Sequence, residues 1–203
     1  MAVSAPGGGA VTGAGRIGPN AILQLLPVLE AEGGAALRDR LLSAAGLTKP
    51  PSDSGMMDER PAAAMHQALR RELPERAPEL ARAAGLATGE YILAHRIPAP
   101  AQALLRRLPA PVAAWLLSRA IAQHSWTFAG SGRFEVLSTR PLSFRIVDNP
   151  VVRGEVADAP ICHWHVAVFE RLFTELVHPD YRVRETACCA TGAEACVFEL
   201  TRG

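Results

Sequence analysis

A chain of 203 residues with 49% hydrophobic side chains has enough apolar mass for one folded unit with a real core. Its 21 Lys and Arg against 20 Asp and Glu leave a formal charge of +1, so no strong overall field draws it to nucleic acid or to a bare anionic membrane. The most apolar stretch, Ala103 to Ala122, is interrupted by Arg106, Arg107, Pro109, Pro111 and Arg119, which excludes a spanning helix there.

Residues 1–18 carry six glycines (Gly7, Gly8, Gly9, Gly13, Gly15 and Gly18) and no periodic apolar positions, which predicts a flexible tail before a single domain over 19–203. Met1 to Gly15 shows neither a basic segment nor a signal-length apolar run, so the chain is expected in the cytoplasm. Ile22, Leu23, Leu25, Leu26 and Leu29 have helical spacing, with Asn20 as cap and Pro27 as a kink or break; Leu37, Leu41 and Leu42 repeat the pattern. After the loop Lys49 to Gly55, helices are predicted from Pro61 to Leu73, from Pro78 to about Arg96 and from Pro111 to His124. The region 19–124 thus reads as almost all helix.

Beyond Trp126 the pattern changes. Phe134, Val136, Leu142, Phe144 and Ile146 alternate with polar residues around Ser138-Thr139-Arg140-Pro141, which predicts a hairpin. Cys162 to Val177 returns to helical spacing, and Tyr181 to Cys188 and Ala195 to Leu200 read as two further strands joined by a turn. Helices, two strands, a helix and two strands make an α+β protein, with N-terminal helices on a small antiparallel sheet.

Four cysteines in a reducing compartment are thiols or metal ligands rather than disulfides. Cys162 starts a helix, Cys188 and Cys196 belong to strands that meet at a turn, and Glu185 stands three residues before Cys188. Three thiolates and a carboxylate satisfy tetrahedral zinc. In a regular strand, residues three apart face opposite sides, so Glu185 and Cys188 can share an ion only where the strand bulges or ends. His163, His165 and Cys189 are alternative ligands at this point, and buried reduced cysteines without metal are another outcome of the same spacing.

From about His124 to Leu200 the chain resembles the 4-vinyl-reductase domain, a small-molecule-binding family shared by phenol-sensing transcriptional activators and bacteriochlorophyll-biosynthesis proteins. The sensors hold zinc with Cys, Glu, Cys and Cys at intervals of 23, 3 and 8 residues, which Cys162, Glu185, Cys188 and Cys196 repeat. The segments RIGPNA (16–21), GEYILAHRIP (89–98) and QHSWTFAGSGRF (123–134) extend the likeness to the bacteriochlorophyll-biosynthesis members over nearly the whole chain after the tail. The resemblance implies a structural zinc, an α+β fold seen also in vesicle-tethering TRAPP subunits, and pairing as a homodimer. It implies a cytoplasmic protein of bacteriochlorophyll biosynthesis, peripheral to the photosynthetic membrane, with pathway enzymes as partners. The ATPase and DNA-binding modules of the sensors find no room here.

The family name implies reduction of a vinyl group on a chlorophyll precursor, which needs a donor of hydride or electrons. Gly13-Ala14-Gly15-Arg16-Ile17-Gly18 matches G-x-G-x-x-G, yet no strand precedes it and Pro19 follows at once. With the cysteines engaged by zinc, none remain for an iron–sulfur cluster. Tyr91, His95, His124, Trp126, Phe128 and Trp164 offer the apolar bulk and polar handles of a site for a flat aromatic ligand. A magnesium tetrapyrrole has an axial position open to a nitrogen; His124 is the first candidate and His95 the second. The expected function is a tetrapyrrole-binding accessory or carrier protein. The alternatives are a vinyl reductase supplied by an external donor and a zinc-stabilised adaptor that recruits pathway enzymes.

Overall fold

The computed structural model describes residues 15–203. Most of the glycine-rich segment and the start of its G-x-G-x-x-G pattern lie outside the described residues. Arg16–Ile17 (β1) pairs antiparallel with Met57–Asp58 (β2). The tail expected to run to Gly18 therefore stops earlier: Ile17 is fully buried, and the Gly18 N–H donates to the Thr127 carbonyl at 2.7 Å.

Six helices follow. They are α1 (Asn20–Leu23), α2 (Leu26–Ala44), α3 (Glu59–Glu72), α4 (Ala77–His95), α5 (Ala99–Arg107) and α6 (Ala110–Gln123). Pro27 occupies the first turn of α2, where its missing N–H has no partner to lose. Asn20 is not the cap expected of it. Pro19 holds that position, and Asn20 Oδ1 accepts from Gln24 Nε2 at 3.2 Å. α2 is kinked at Gly33 and Gly34, the latter with φ of +70°. α3 has a true cap in Asp58, which accepts the Arg60 N–H at 2.9 Å. α5 was not expected, because Pro98 and Pro100 suggest a linker; both stand at its start, where proline fits a helix.

A short turn of helix, α7 (Trp126–Ala129), leads into β3 (Arg133–Thr139) and β4 (Leu142–Val147), the predicted hairpin. Helix α8 (His163–Leu176) and strands β5 (Tyr181–Ala187) and β6 (Ala195–Arg202) complete the fold. The larger sheet is antiparallel in the order β3-β4-β6-β5. Phe134, Phe144, Ile146, Val183, Phe198 and Leu200 are buried along its strands, and Phe169 of α8 packs edge-on to Phe144 and Phe198, each at 5.3 Å between centroids.

α4 packs against α8 at a close approach made possible by glycine. A Cβ added at Gly85 would lie 2.4 Å from the Trp164 carbonyl oxygen, and one at Gly89 would lie 2.6 Å from the Arg171 Cβ. The protein is thus α+β, built as sheet, α8, and a further helical layer. Among the described residues, no helix is long and apolar enough to cross a membrane.

Two histidines are sealed in this interior. His66 of α3 bonds only through Nε2, to the Ala21 carbonyl at 3.0 Å, and neither ring nitrogen of His165 has a well-placed partner among the described residues. Burial pushes both imidazoles down to about 3. The unfolded chain takes up a proton at each near pH 6.5, whereas the fold excludes it until about pH 3. Their contribution is therefore complete above pH 6.5 and is lost as the pH falls toward 3, roughly 2 kcal/mol for each by pH 5. His66→Leu should remove about half of this dependence in urea unfolding near pH 7.5 and pH 5, other acid effects being common to both proteins. An unchanged dependence would mean that His66 is solvated or charged in the fold.

Candidate metal centre and ligand-contact residues

Cys162 sits at the N-cap position of α8, Cys196 lies on β6 opposite Ile146 of β4, and Glu185 and Cys188 come from the end of β5. The register of β5 against β6 shifts between Glu185 and Ala187, and the strand ends at Ala187. Both conditions under which residues three apart can face one site are thus met. The four ligand atoms lie within 4.8 Å of one another. Sγ of Cys162 is 3.4 Å from that of Cys196 and 4.0 Å from that of Cys188, and the third edge, Cys196 to Cys188, is 3.9 Å. A tetrahedron of thiolates with metal–sulfur bonds of about 2.3 Å has edges of about 3.8 Å, so the spacing suits one ion.

The electrostatics agree. All three thiols are buried, and burial pushes Cys162 well above the ordinary thiol range. Glu185 is driven up to about 8, burial again being the largest cause. One of its oxygens accepts the Cys162 N–H at 2.7 Å; the other, Oε1, is buried with no partner. A cation supplies what these groups lack, stabilising the thiolates and the carboxylate together.

Sequence reasoning missed Asn149. It is buried beside the cluster, and its Nδ2 donates to Cys162 Sγ at 3.4 Å and to Cys196 Sγ at 3.5 Å. The Cys189 N–H donates to Cys196 Sγ at 3.4 Å. Such donors orient and stabilise thiolate ligands. Asn149-Pro150 reads in sequence only as a turn, so nothing marked it for this role. The alternative ligands His163, His165 and Cys189 do not belong to the cluster of four.

The six candidate ligand contacts are dispersed. His124 is exposed at the end of α6, where its Nδ1 pairs with the Ala120 carbonyl at 2.8 Å, and Trp126 is exposed just beyond. Phe128 is half-buried against Phe134 and Phe169. Tyr91 and His95 stack at the end of α4 with centroids 4.6 Å apart. Trp164 is a core residue whose Nε1–H donates to Thr88 Oγ1 at 3.1 Å. Two surface depressions, of about 290 and 250 Å³, are lined by other residues.

The chain is 63% identical to the bacteriochlorophyll synthase 23 kDa chain of Cereibacter sphaeroides over 91% of its own length and 90% of that protein's. It belongs to that family. The protein of the same name from Rhodobacter capsulatus is 53% identical over 91% of this chain and 86% of its own. Residues 142–202 match the 4-vinyl-reductase domain, so the family's matched region contains all four cluster residues.

Among solved structures, an H-NOX protein from S. oneidensis in its Fe(II)NO state superposes with a TM-score of 0.55 at 11% identity, covering 91% of this chain and 98% of that one. A mutant H-NOX protein from K. algicida, in its unliganded Fe(II) state, gives 0.58 at 11%, covering 92% and 97%. The phenol-responsive sensory domain of the transcription activator PoxR gives 0.54 at 19%, covering 83% and 90%. At these identities the likeness is one of fold.

Proposed function

We propose that this chain is a tetrapyrrole-binding accessory or carrier protein of bacteriochlorophyll biosynthesis, folded around one structural zinc ion. The observation that carries the reading is the closed cluster. Cys162, Glu185, Cys188 and Cys196 fill a tetrahedron and leave no position for substrate, so the ion serves the fold and the chain serves by binding. Three thiolates and a carboxylate around a divalent ion leave net negative charge, which the N-terminus of α8, the Asn149 amide and the Cys189 N–H offset. The pathway follows from the relatives' shared name as a chain of bacteriochlorophyll synthase, which also makes pathway enzymes the natural partners.

A magnesium tetrapyrrole would take its axial nitrogen from His124, whose Nε2 faces away from the Ala120 bond, with Trp126 beside it for the macrocycle face. Tyr91 and His95, the latter an alternative axial ligand, form a second aromatic surface. The protein acts on the cytoplasmic side, peripheral to the photosynthetic membrane, and pairs as a homodimer, which sedimentation would show.

Titration of the purified protein with divinyl and monovinyl magnesium pigments, with and without NADPH and with product analysis, tests this reading. Saturable binding with an unchanged vinyl group is the expected result, weakened about tenfold in His124→Ala by loss of one axial contact. Conversion of the vinyl group would establish a reductase instead. Pigment-independent co-purification with pathway enzymes, without pigment affinity, would establish an adaptor.

A further inference from the structure

The net charge of +1 conceals an uneven distribution. From Tyr91 to Phe134 there is no Asp or Glu, while Arg96, Arg106, Arg107, Arg119 and Arg133 all fall inside this stretch. The rest of the chain holds sixteen basic against twenty acidic residues and is net negative. The same stretch carries four of the six exposed large hydrophobic residues: Leu104 (56% exposed), Val112 (44%), Trp115 (47%) and Trp126 (55%).

Their placement is regular. Val112, Trp115 and Arg119 stand at helical positions three and seven apart, so they share one outer face of α6. The Arg119 guanidinium lies over the Trp115 ring at 5.1 Å, and that of Arg96 lies over Tyr91 at 5.6 Å. Arg96, Arg107 and Arg119 form no salt bridge among the described residues. α5 buries only Leu105, which leaves Leu104 and Arg107 outward.

We propose that α5, α6 and the α7 turn form a peripheral docking surface for the headgroup region of an anionic lipid bilayer. The combination selects this occupant. A run of 44 residues with one sign of charge calls for a polyanionic surface, which disfavours an ordinary protein partner with mixed charges. Exposed Leu and Val have no use against nucleic acid, but they suit the boundary between headgroups and acyl chains, where tryptophan also settles and arginine reaches phosphate while its stem stays in the apolar layer. The 14 residues of α6 would lie in the membrane plane rather than cross it. This deepens the proposed membrane-peripheral placement and does not depend on pigment binding.

The test is flotation of the full chain with vesicles of phosphatidylcholine alone or with about one third phosphatidylglycerol. Binding is expected only to the anionic vesicles, weakening as salt is raised. Arg107→Glu combined with Arg119→Glu should weaken it by about thirtyfold or more, whereas Arg60→Glu with Arg184→Glu, equal in charge and placed elsewhere, should change it little. Trp115→Ala should also weaken binding, and brominated acyl chains should quench wild-type tryptophan fluorescence. Circular dichroism melts confirm that each variant is folded. Equal loss in both charge-reversal pairs, binding indifferent to lipid charge, or no vesicle binding by wild type would overturn the proposal. A dimer dissociated by Trp115→Ala, without vesicle binding, would assign this face to a second copy of the chain.

Discussion

Cys188→Ser is expected to purify without zinc and to unfold about 10 °C or more below the wild type. Cys188 is the sulfur that completes two edges of the cluster, 4.0 Å from Cys162 and 3.9 Å from Cys196. A serine hydroxyl does not ionise to replace it as a ligand. The remaining thiols and Glu185 are then left buried together without a cation, and Glu185, pushed up to about 8 by burial, must take a proton or draw in water. A loss of roughly 4 kcal/mol in a chain of this size corresponds to a shift of that order. Elemental analysis of the purified protein and a thermal melt give the two readings. Cys189→Ser, whose side chain lies outside the cluster, should keep both the metal and the melting temperature. Stoichiometric zinc in Cys188→Ser would overturn the ligand set.

Gly85→Ala should cost about 3 kcal/mol, although alanine is by itself the better helix former by about 1 kcal/mol. The new methyl would stand 2.4 Å from the Trp164 carbonyl oxygen and 2.7 Å from the Ala167 Cβ. Neither is the free end of a flexible side chain, so α4 and α8 must move apart along their contact. That separation strains the Trp164 to Thr88 hydrogen bond and loosens a core that joins the two halves of the chain. Urea unfolding measures the loss. A midpoint equal to that of the wild type would mean that the helices are not in such close contact.

Elements whose evidence is local were legible in the sequence. The spacing of apolar residues gave α3, α4, α6 and α8 to within a few positions, and alternation gave the β3–β4 hairpin. The cluster was legible for a different reason: its intervals imposed a demand on β5, a bulge or an end after Glu185, and the strand has both. What stayed hidden depends on distant partners. β1 is two residues long and takes its order from β2, some forty positions later. α5 was obscured because proline breaks a helix in the middle but starts one equally well. The six candidate ligand contacts were chosen by residue type, which does not report direction; Trp164 turns inward because Thr88, 76 positions earlier, receives its N–H. Asn149 carried no spacing signal at all.

The cluster also bears on the order in which the chain assembles. Its ligands span only Cys162 to Cys196, so capturing the ion closes short loops and sacrifices little chain entropy. The seam between α4 and α8 joins residues some eighty positions apart and gains nothing until α8 is already fixed. An ion that pins the start of α8 to the β5–β6 end therefore acts early, as a local nucleus. The helical half then condenses onto a ridge that is already held in place. On this account, scarcity of metal would first reduce the fraction of newly made chains that reach the folded state, before any loss from chains already folded.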